Sequence, residues 1–431
     1  MATTTHPLFE TQLPKGWRLL TVDDVKSPEK SSCVAGPFGS NISSKYFTES
    51  GVPVIRGGNL RDDLTRFVPN GFAFVSEDQA KQYKAQHVRG GDLVFTCWGT
   101  VGQVGIIPDN GPFPEYIISN KQLKLRPNLE LAEPLYLFFY FAGPKMVQHV
   151  LGRAIGAAVP GINLGILKQL PVVLPPLPVQ RRISGILSAY DELMENSQRR
   201  IRLLETMARA LYREWFVHFR FPGHEKHPRV ASPLGDIPQG WKVKKLGDIA
   251  EDMRRNVPKG IVDEPTPYVG LEHIPRRSLA LDAWEMAKEL GSNKLEFKKG
   301  EVLFGKIRPY FHKVSVAPFD GLCSADTIVI RVRGPEHYAA VVACVSSDAF
   351  VAEASATANG AKMPRANWDV LAKFPVVIPK GRVAEKFSTL FADIIAQQQT
   401  LIFQIQNLRR TRDLLLPRLL SGQVKLPTEA A

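Results

Sequence analysis

The sequence predicts an α+β fold in which two similar β-rich domains are joined by two long helices. The helices are expected to pair as an antiparallel coiled coil with pseudo-two-fold symmetry. Three observations carry this expectation. Five short blocks occur twice in the same order, each copy runs from a β-rich stretch to a Pro-rich boundary, and a long heptad-patterned segment follows each boundary.

The repeat opens with Leu13-Pro-Lys-Gly-Trp17, which returns as Ile237-Pro-Gln-Gly-Trp241, 224 residues later. Gly51–Ile55 returns as Pro265–Val269 at a distance of 214, and Gly91–Phe95 as Gly300–Phe304 at 209. Two closing blocks are both 204 apart: Gly156-Ala-Ala-Val-Pro160 with Gly360-Ala-Lys-Met-Pro364, and Pro171-Val-Val-Leu-Pro175 with Pro375-Val-Val-Ile-Pro379. The falling offset describes two copies of one long domain, the second with shorter loops, rather than a solenoid. Within each copy, short apolar runs punctuated by Gly, Pro and Asn read as strands. Leu174-Pro-Pro-Leu-Pro178 and Ile378-Pro-Lys-Gly381 close them. The expected organisation is a first domain over 1–175, a central spacer helix over 176–222, a second domain over 223–379 and a C-terminal spacer helix over 380–425.

Each helix carries a seam of alternating four- and three-residue spacing. In the first it runs through Ile183, Leu187, Tyr190, Met194, Ser197, Ile201, Leu204, Ala208, Leu211 and Trp215. At an offset of 204 the second runs through Phe387, Phe391, Ile394, Gln398, Leu401, Ile405, Leu408, Arg412, Leu415 and Leu419. Such a pattern, kept over about five heptads with Arg199, Arg200, Arg202, Glu205, Arg209, Arg409, Arg410 and Asp413 on the other faces, is that of a coiled coil. A helix of this length spans roughly 54 Å, more than a domain of about 150 residues offers for packing. It must find a partner, and the other helix is the nearest candidate. Ser197, Gln398 and Arg412 place polar groups in the seam, either to fix register or to meet another subunit.

Composition narrows the class. With 431 residues, 44% hydrophobic and 23% charged, the chain reads as globular and too long for one ordinary core. No segment approaches the roughly 18 apolar residues of a membrane span; the longest apolar run, Leu135 to Ala142, reads as a buried helix. The opening MATTTHPLFE lacks the pattern of a signal peptide, and Cys33, Cys97, Cys323 and Cys344 are scattered without metal or disulfide spacing. A cytoplasmic protein with reduced thiols and no membrane partner is expected. The net charge of +13 favours a polyanionic partner, nucleic acid above all.

Motifs for chemistry are missing. There is no phosphate-binding G-x-x-x-x-G-K-[ST], no G-x-S-x-G elbow, and no glycine-rich turn paired with an Asn/Asp-Pro-Pro-aromatic run as in methyltransferases acting on base amines. Asp109 and Glu115 lack the lysine of a metal-dependent nuclease, and His224 and His227 are spaced wrongly for a helical zinc pair. Gly36-Pro-Phe-Gly39 reads as a surface turn. No catalytic residue, metal ligand or cofactor site is expected in this chain.

Binding residues are expected where the framework repeats but the loops differ. One pair of loops is Arg56-Gly-Gly-Asn59 and Gly270-Leu-Glu-His273. A second follows Phe95 and Phe304: Thr96-Cys-Trp98 in one copy, and in the other Lys306, Arg308, Tyr310, His312 and Lys313, cations interleaved with aromatics. A third holds Asn120 and Lys121, and a fourth holds Arg153 in one copy with Lys362 and Arg365 in the other. Cations and amides can grip phosphates or bond base edges in the major groove. A solvated basic surface without contacts is the alternative for each residue singly.

The ordered, duplicated blocks, with Met207–Phe216 ending one helix and Arg412-Asp-Leu-Leu-Leu-Pro-Arg-Leu-Leu-Ser-Gly422 ending the other, closely resemble the specificity subunits of type I restriction–modification systems. The resemblance covers nearly the whole chain. It implies two target-recognition domains, each reading half of a split site in double-stranded DNA, and helices that act as a ruler and docking surface. It also implies two modification (methyltransferase) subunits as partners, with S-adenosylmethionine held by those subunits, and restriction (motor-nuclease) subunits added to complete the complex. Two other classes compete: a nuclease or methyltransferase with a degenerate site, for which little chain remains, and a non-catalytic scaffold for RNA or protein.

Overall fold

The computed structural model describes residues 5–156 and 160–426. The beginning of the N-terminal decapeptide and the Ala-Ala-Val core of the first closing block lie outside the described residues. The chain divides into two compact units: residues up to Asp191 together with those from Arg410 onward, and Glu192–Arg409.

The first unit begins with β1 (Arg18–Thr21), α1 (Val22–Val25) and β2 (Cys33–Ala35). It continues through β3 (Val52–Ile55), β4 (Ala73–Val75), α2 (Glu77–Lys81), β5 (His87–Val88), β6 (Leu93–Thr96), β7 (Val104–Ile106), β8 (Tyr116–Ile118) and β9 (Gln122–Leu125). Then come α3 (Pro134–Ala142), α4 (Pro144–Leu151), α5 (Leu164–Lys168), β10 (Pro171–Leu174) and the start of α6 (Leu177–Tyr212). The strands form two four-stranded sheets, ordered β2-β9-β6-β7 and β4-β3-β8-β5, and an antiparallel pair β1-β10.

In the second unit α6 ends in a π-helical turn over Arg213–Val217. A hairpin of β11 (Arg229–Val230) and β12 (Ile237–Pro238) leads to β13 (Lys242–Lys245), α7 (Leu246–Ile249), β14 (Ala250–Asp252), β15 (Asn256–Val257) and β16 (Gly260–Val269). After these follow β17 (Glu285–Leu290), β18 (Lys294–Phe297), β19 (Val302–Gly305), β20 (Val314–Val316), β21 (Gly321–Ser324) and β22 (Thr327–Val332). Finally come α8 (Tyr338–Val345), α9 (Asp348–Ala356), α10 (Trp368–Leu371), β23 (Pro375–Ile378) and α11 (Arg382–Leu420), whose last turns belong to the first unit. The sheets are β14-β22-β19-β20, β15-β18-β21-β16-β17 and β13-β23.

Apart from the additional β15 and the β11-β12 hairpin, the two units share strand order, and the repeated blocks occupy matching places. The Pro-x-Gly-Trp opening is a turn in both: Trp17 N–H donates to Pro14 at 3.1 Å and Trp241 N–H to Pro238 at 3.1 Å. It needs glycine because Gly16 and Gly240 have φ of 86° and 83°. The strand that follows pairs with the closing block, Arg18 opposite Leu174 and Lys242 opposite Ile378. In the middle of each unit one parallel pairing recurs, Ile55 with Ile118 and Val269 with Cys323. The long apolar run forms α3, buried from Tyr136 to Ala142, and its counterpart α8 is buried from Ala339 to Val345.

The long helices contribute to both units, each described separately. In the first, Ile183 and Leu187 of α6 share a core with Leu416, Leu419 and Leu420 of α11. In the second, Met194 and Ile201 share a cluster with Leu401, Ile402 and Ile405, while Trp215 packs on Phe387 at 5.8 Å between ring centroids. Within the second unit, higher numbers on α6 and the turn after it thus meet lower numbers on α11, so these segments run antiparallel there. The apolar stripe of α11 is wider than the heptad seam, since Ile395, Ile402, Leu416 and Leu420 are buried beside the seam positions. Tyr190, Leu204, Leu211, Leu408 and Leu415 are only half-buried. Glu205, assigned from the sequence to an outer face, is buried. Its carboxylate accepts from the Ser278 hydroxyl at 2.9 Å and the Leu279 amide at 2.7 Å, and burial raises its pKa despite those bonds. All four cysteines are free and buried, and no single helix among the described residues is long and apolar enough to cross a membrane.

Candidate nucleic-acid interface

In the first unit, loops from three strand ends converge. The Ser119 amide donates to Ile55 at 3.1 Å and the Cys97 amide to Lys121 at 2.8 Å, tying the loops after β3, β6 and β8 together. Between them lies a hollow of about 590 Å³, lined by Arg56, Thr96, Trp98, Asn120 and Lys121 among others. Arg56, Asn120 and Lys121 are exposed, and Trp98 is 42% exposed. The fourth loop reaches the same place through a bridge between Trp98 and Gly161, where a Cβ would lie 2.4 Å from the indole. Arg153 is exposed on that loop but does not line the hollow.

The second unit repeats the arrangement with other side chains. The Lys306 amide donates to Asp326 at 3.0 Å and the Ala366 amide to Lys306 at 2.9 Å, as the Cys97 amide does to Lys121 and Ile162 to Cys97 in the first unit. A bridge between Ile307 and Arg365 stands where Trp98 meets Gly161. The Lys313 ammonium donates to the Leu271 carbonyl, joining the loop after β19 to the loop after β16. Tyr310 is 55% exposed, and Lys362 and Arg365 are exposed, with Arg365 Nε 3.5 Å from Asp326.

Several expected contact residues instead hold the loops. Asn59 is buried; its Oδ1 accepts from the Arg56 amide at 2.9 Å and its Nδ2 donates to Val68 at 3.0 Å and Asn70 at 2.9 Å. His273, half-buried, repeats the first of these bonds, its Nδ1 accepting from Gly270 at 2.9 Å. Thr96 is buried, its hydroxyl donating to Gln103 at 3.2 Å. His312 is buried, with Nε2 2.9 Å from the Ser346 carbonyl, and burial lowers its pKa. Lys306 Nζ donates to Ala325 at 2.9 Å, and burial with Arg276 nearby lowers the pKa of Lys313. Arg308, half-buried, takes φ of 48° and donates its amide to Pro364 at 2.7 Å. The bonds of His312, Lys306 and Lys313 reach residues that sequence spacing does not couple.

Other exposed groups were not singled out from the sequence. Lys45 lies over the Tyr46 ring at 4.6 Å, and the Arg276 guanidinium lies 4.2 Å from the Phe311 centroid. Cation–aromatic adjacency is their only signal, and it forms between loops in the second case. Among the described residues no group of three or more His, Cys, Asp or Glu could hold a metal. His224 and His227 each sit within 2.9 Å of a carbonyl, as linker residues.

The fold and these loops define a class first: a duplicated α+β chain presenting cationic, amide and aromatic side chains from strand ends. The chain matches the type I restriction modification DNA specificity domain over residues 38–206. It is 23% identical to the specificity subunit of the type I restriction enzyme MjaIX of Methanocaldococcus jannaschii, over 96% of this chain and 95% of that one. It is 24% identical to the EcoDI specificity subunit of Escherichia coli, over 70% of this chain and 76% of the relative. The type I S subunit from M. genitalium has the same fold, with a TM-score of 0.54 at 12% identity over 96% of this chain and 97% of that one.

Proposed function

We propose that this chain is the DNA specificity subunit of a type I restriction–modification complex, a non-catalytic component that reads a bipartite duplex site. The observation that carries the reading is that the whole loop-lined hollow of the first unit falls inside the 38–206 DNA specificity match. Exposed Arg56, Lys121, Lys362 and Arg365 supply phosphate grip and guanine contacts, while the Asn120 side-chain amide, donating to the Gly39 carbonyl, orders the loop beside Arg56 and Lys121. Differing loops on a shared framework give two half-sites of different sequence.

The domains assigned to this reading are 1–175 and 223–379, with 176–222 and 380–425 as spacer helices. At 36 and 39 residues, α6 and α11 are about 54 and 59 Å long. Paired as an antiparallel coiled coil about a pseudo-two-fold axis, they hold the half-sites about one helical turn apart, near 34–36 Å. The helices also dock two modification subunits, which bind S-adenosylmethionine and methylate adenine, and the restriction subunits join this cytoplasmic assembly.

The test is co-expression with the genomically adjacent modification subunit in a methylation-free host, with methyladenine mapped by single-molecule sequencing. One split motif, two short halves around a fixed spacer, is the expected result. Methylation that persists without this chain overturns the reading. A stable complex that methylates nothing points instead to a scaffold.

A further inference from the structure

The loop after β2 holds a feature that packing does not explain. Phe38 is 91% exposed, more than any other large apolar side chain among the described residues. A loose loop could fold such a ring back against the surface, but this loop is fastened at several points. The Gly36 amide donates to Gln122 at 2.8 Å, the Asn120 side-chain amide to the Gly39 carbonyl at 2.8 Å, and the Tyr83 hydroxyl to the Asn41 carbonyl at 2.5 Å. Gly36 is pressed so close to the end of β8 that a Cβ would lie 1.8 Å from the Ser119 carbonyl oxygen. Gly39, with φ of 58°, completes the turn.

The surroundings indicate what the ring meets. The chain runs on into Ile42, Ser43 and Ser44, which line the hollow with Arg56, Asn120 and Lys121. Trp98, an aromatic of that lining, is 42% exposed. The loop that carries Phe38 is fastened to Asn120, which lines the hollow with Arg56 and Lys121, a guanidinium and an ammonium of the kind that pair with phosphates and base edges.

We propose that Phe38 is an apolar wedge that enters a base step of duplex DNA within the half-site read by the first unit. The inference rests on the DNA-reading function above. Insertion partly unstacks the step and bends the duplex, so the site favours a flexible pyrimidine–purine step at that position. The second unit has no aromatic at the matching place. The Met253 amide donates to Val329 as Gly36 does to Gln122, but Arg254 and Arg255 follow, so the distortion belongs to one half-site.

The test uses the complex with its modification subunit and duplexes carrying the mapped motif, with 2-aminopurine placed at each adenine in turn. The wild-type complex is expected to raise 2-aminopurine fluorescence at one step of one half-site. Phe38→Ala is expected to abolish that signal and weaken cognate binding about tenfold or more, with non-specific affinity and co-purification unchanged; Phe38→Trp retains the signal. Wild-type cognate affinity and an unchanged signal in Phe38→Ala overturn the wedge alone. Loss of co-purification with an intact DNA signal also overturns it, making Phe38 a protein contact. Absence of sequence-selective binding by the wild-type complex overturns the DNA-reading function itself, and the wedge with it.

Discussion

Asn59 and His273 occupy matching places in the two units and meet one local requirement with different side chains: a backbone amide three residues earlier needs an acceptor. Asn59 goes further and binds two carbonyls, which explains its burial beside the exposed Arg56. The pair separates holding a loop from using it. Asn59→Ala is expected to cost about 1–3 kcal/mol in unfolding free energy, because buried polar groups lose their partner. Arg56→Ala should leave stability within about 0.5 kcal/mol yet weaken DNA binding and reduce its salt dependence. Denaturant titration together with binding at two salt concentrations checks both. The turns before β6 and β19 show the same economy, with buried Asp92 accepting from the Arg89 amide at 3.0 Å and buried Glu301 from the Lys298 amide at 2.8 Å.

At the scale of elements, the long helices show how a heptad pattern is modified by what lies beside it. The buried seam positions Ile183, Leu187, Phe387 and Phe391 were legible because helix geometry fixes which residues share a stripe. The widening of α11 to Ile402 and Leu416, and the burial of Glu205, were not, because they depend on the cores beside the helices. Arg412 resolves one open question within the first unit. It is buried and bonds Asp191 of α6 at 2.7 Å, so it joins the two helices there. Arg412→Met alone should cost about 3 kcal/mol, since among the described residues the ion pair left to Asp191 is the one with partly exposed Arg66 at 3.4 Å. Adding Asp191→Leu should restore most of that loss. Comparison of unfolding midpoints in the single and double variants tests the pairing.

For the whole molecule, the proposed ruler makes the spacer a function of helix length. Deleting one seven-residue repeat from each long helix removes about 10 Å, and should shorten the unread spacer by about three base pairs or abolish activity. Methyladenine mapping of the deletant gives the answer directly; an unchanged motif would mean that the helices do not set the spacing. The net charge of +13 belongs to the same scale, favouring association with DNA without choosing a sequence.

The sequence by itself determined the duplication, the order of elements, the helical seams and the resemblance to a specificity subunit. Each of these depends on local pattern: turn residues, apolar period and the spacing of repeated blocks. Only the tertiary structure decided which loop residues face outward, because a polar side chain is committed by neighbours far along the chain. Lys313 is turned to Leu271 and His312 to Ser346, while Asn120 fastens the loop that carries Phe38. A surface turn in the sequence thereby became an exposed ring on a fastened loop, since exposure is a property of everything that fails to cover a residue.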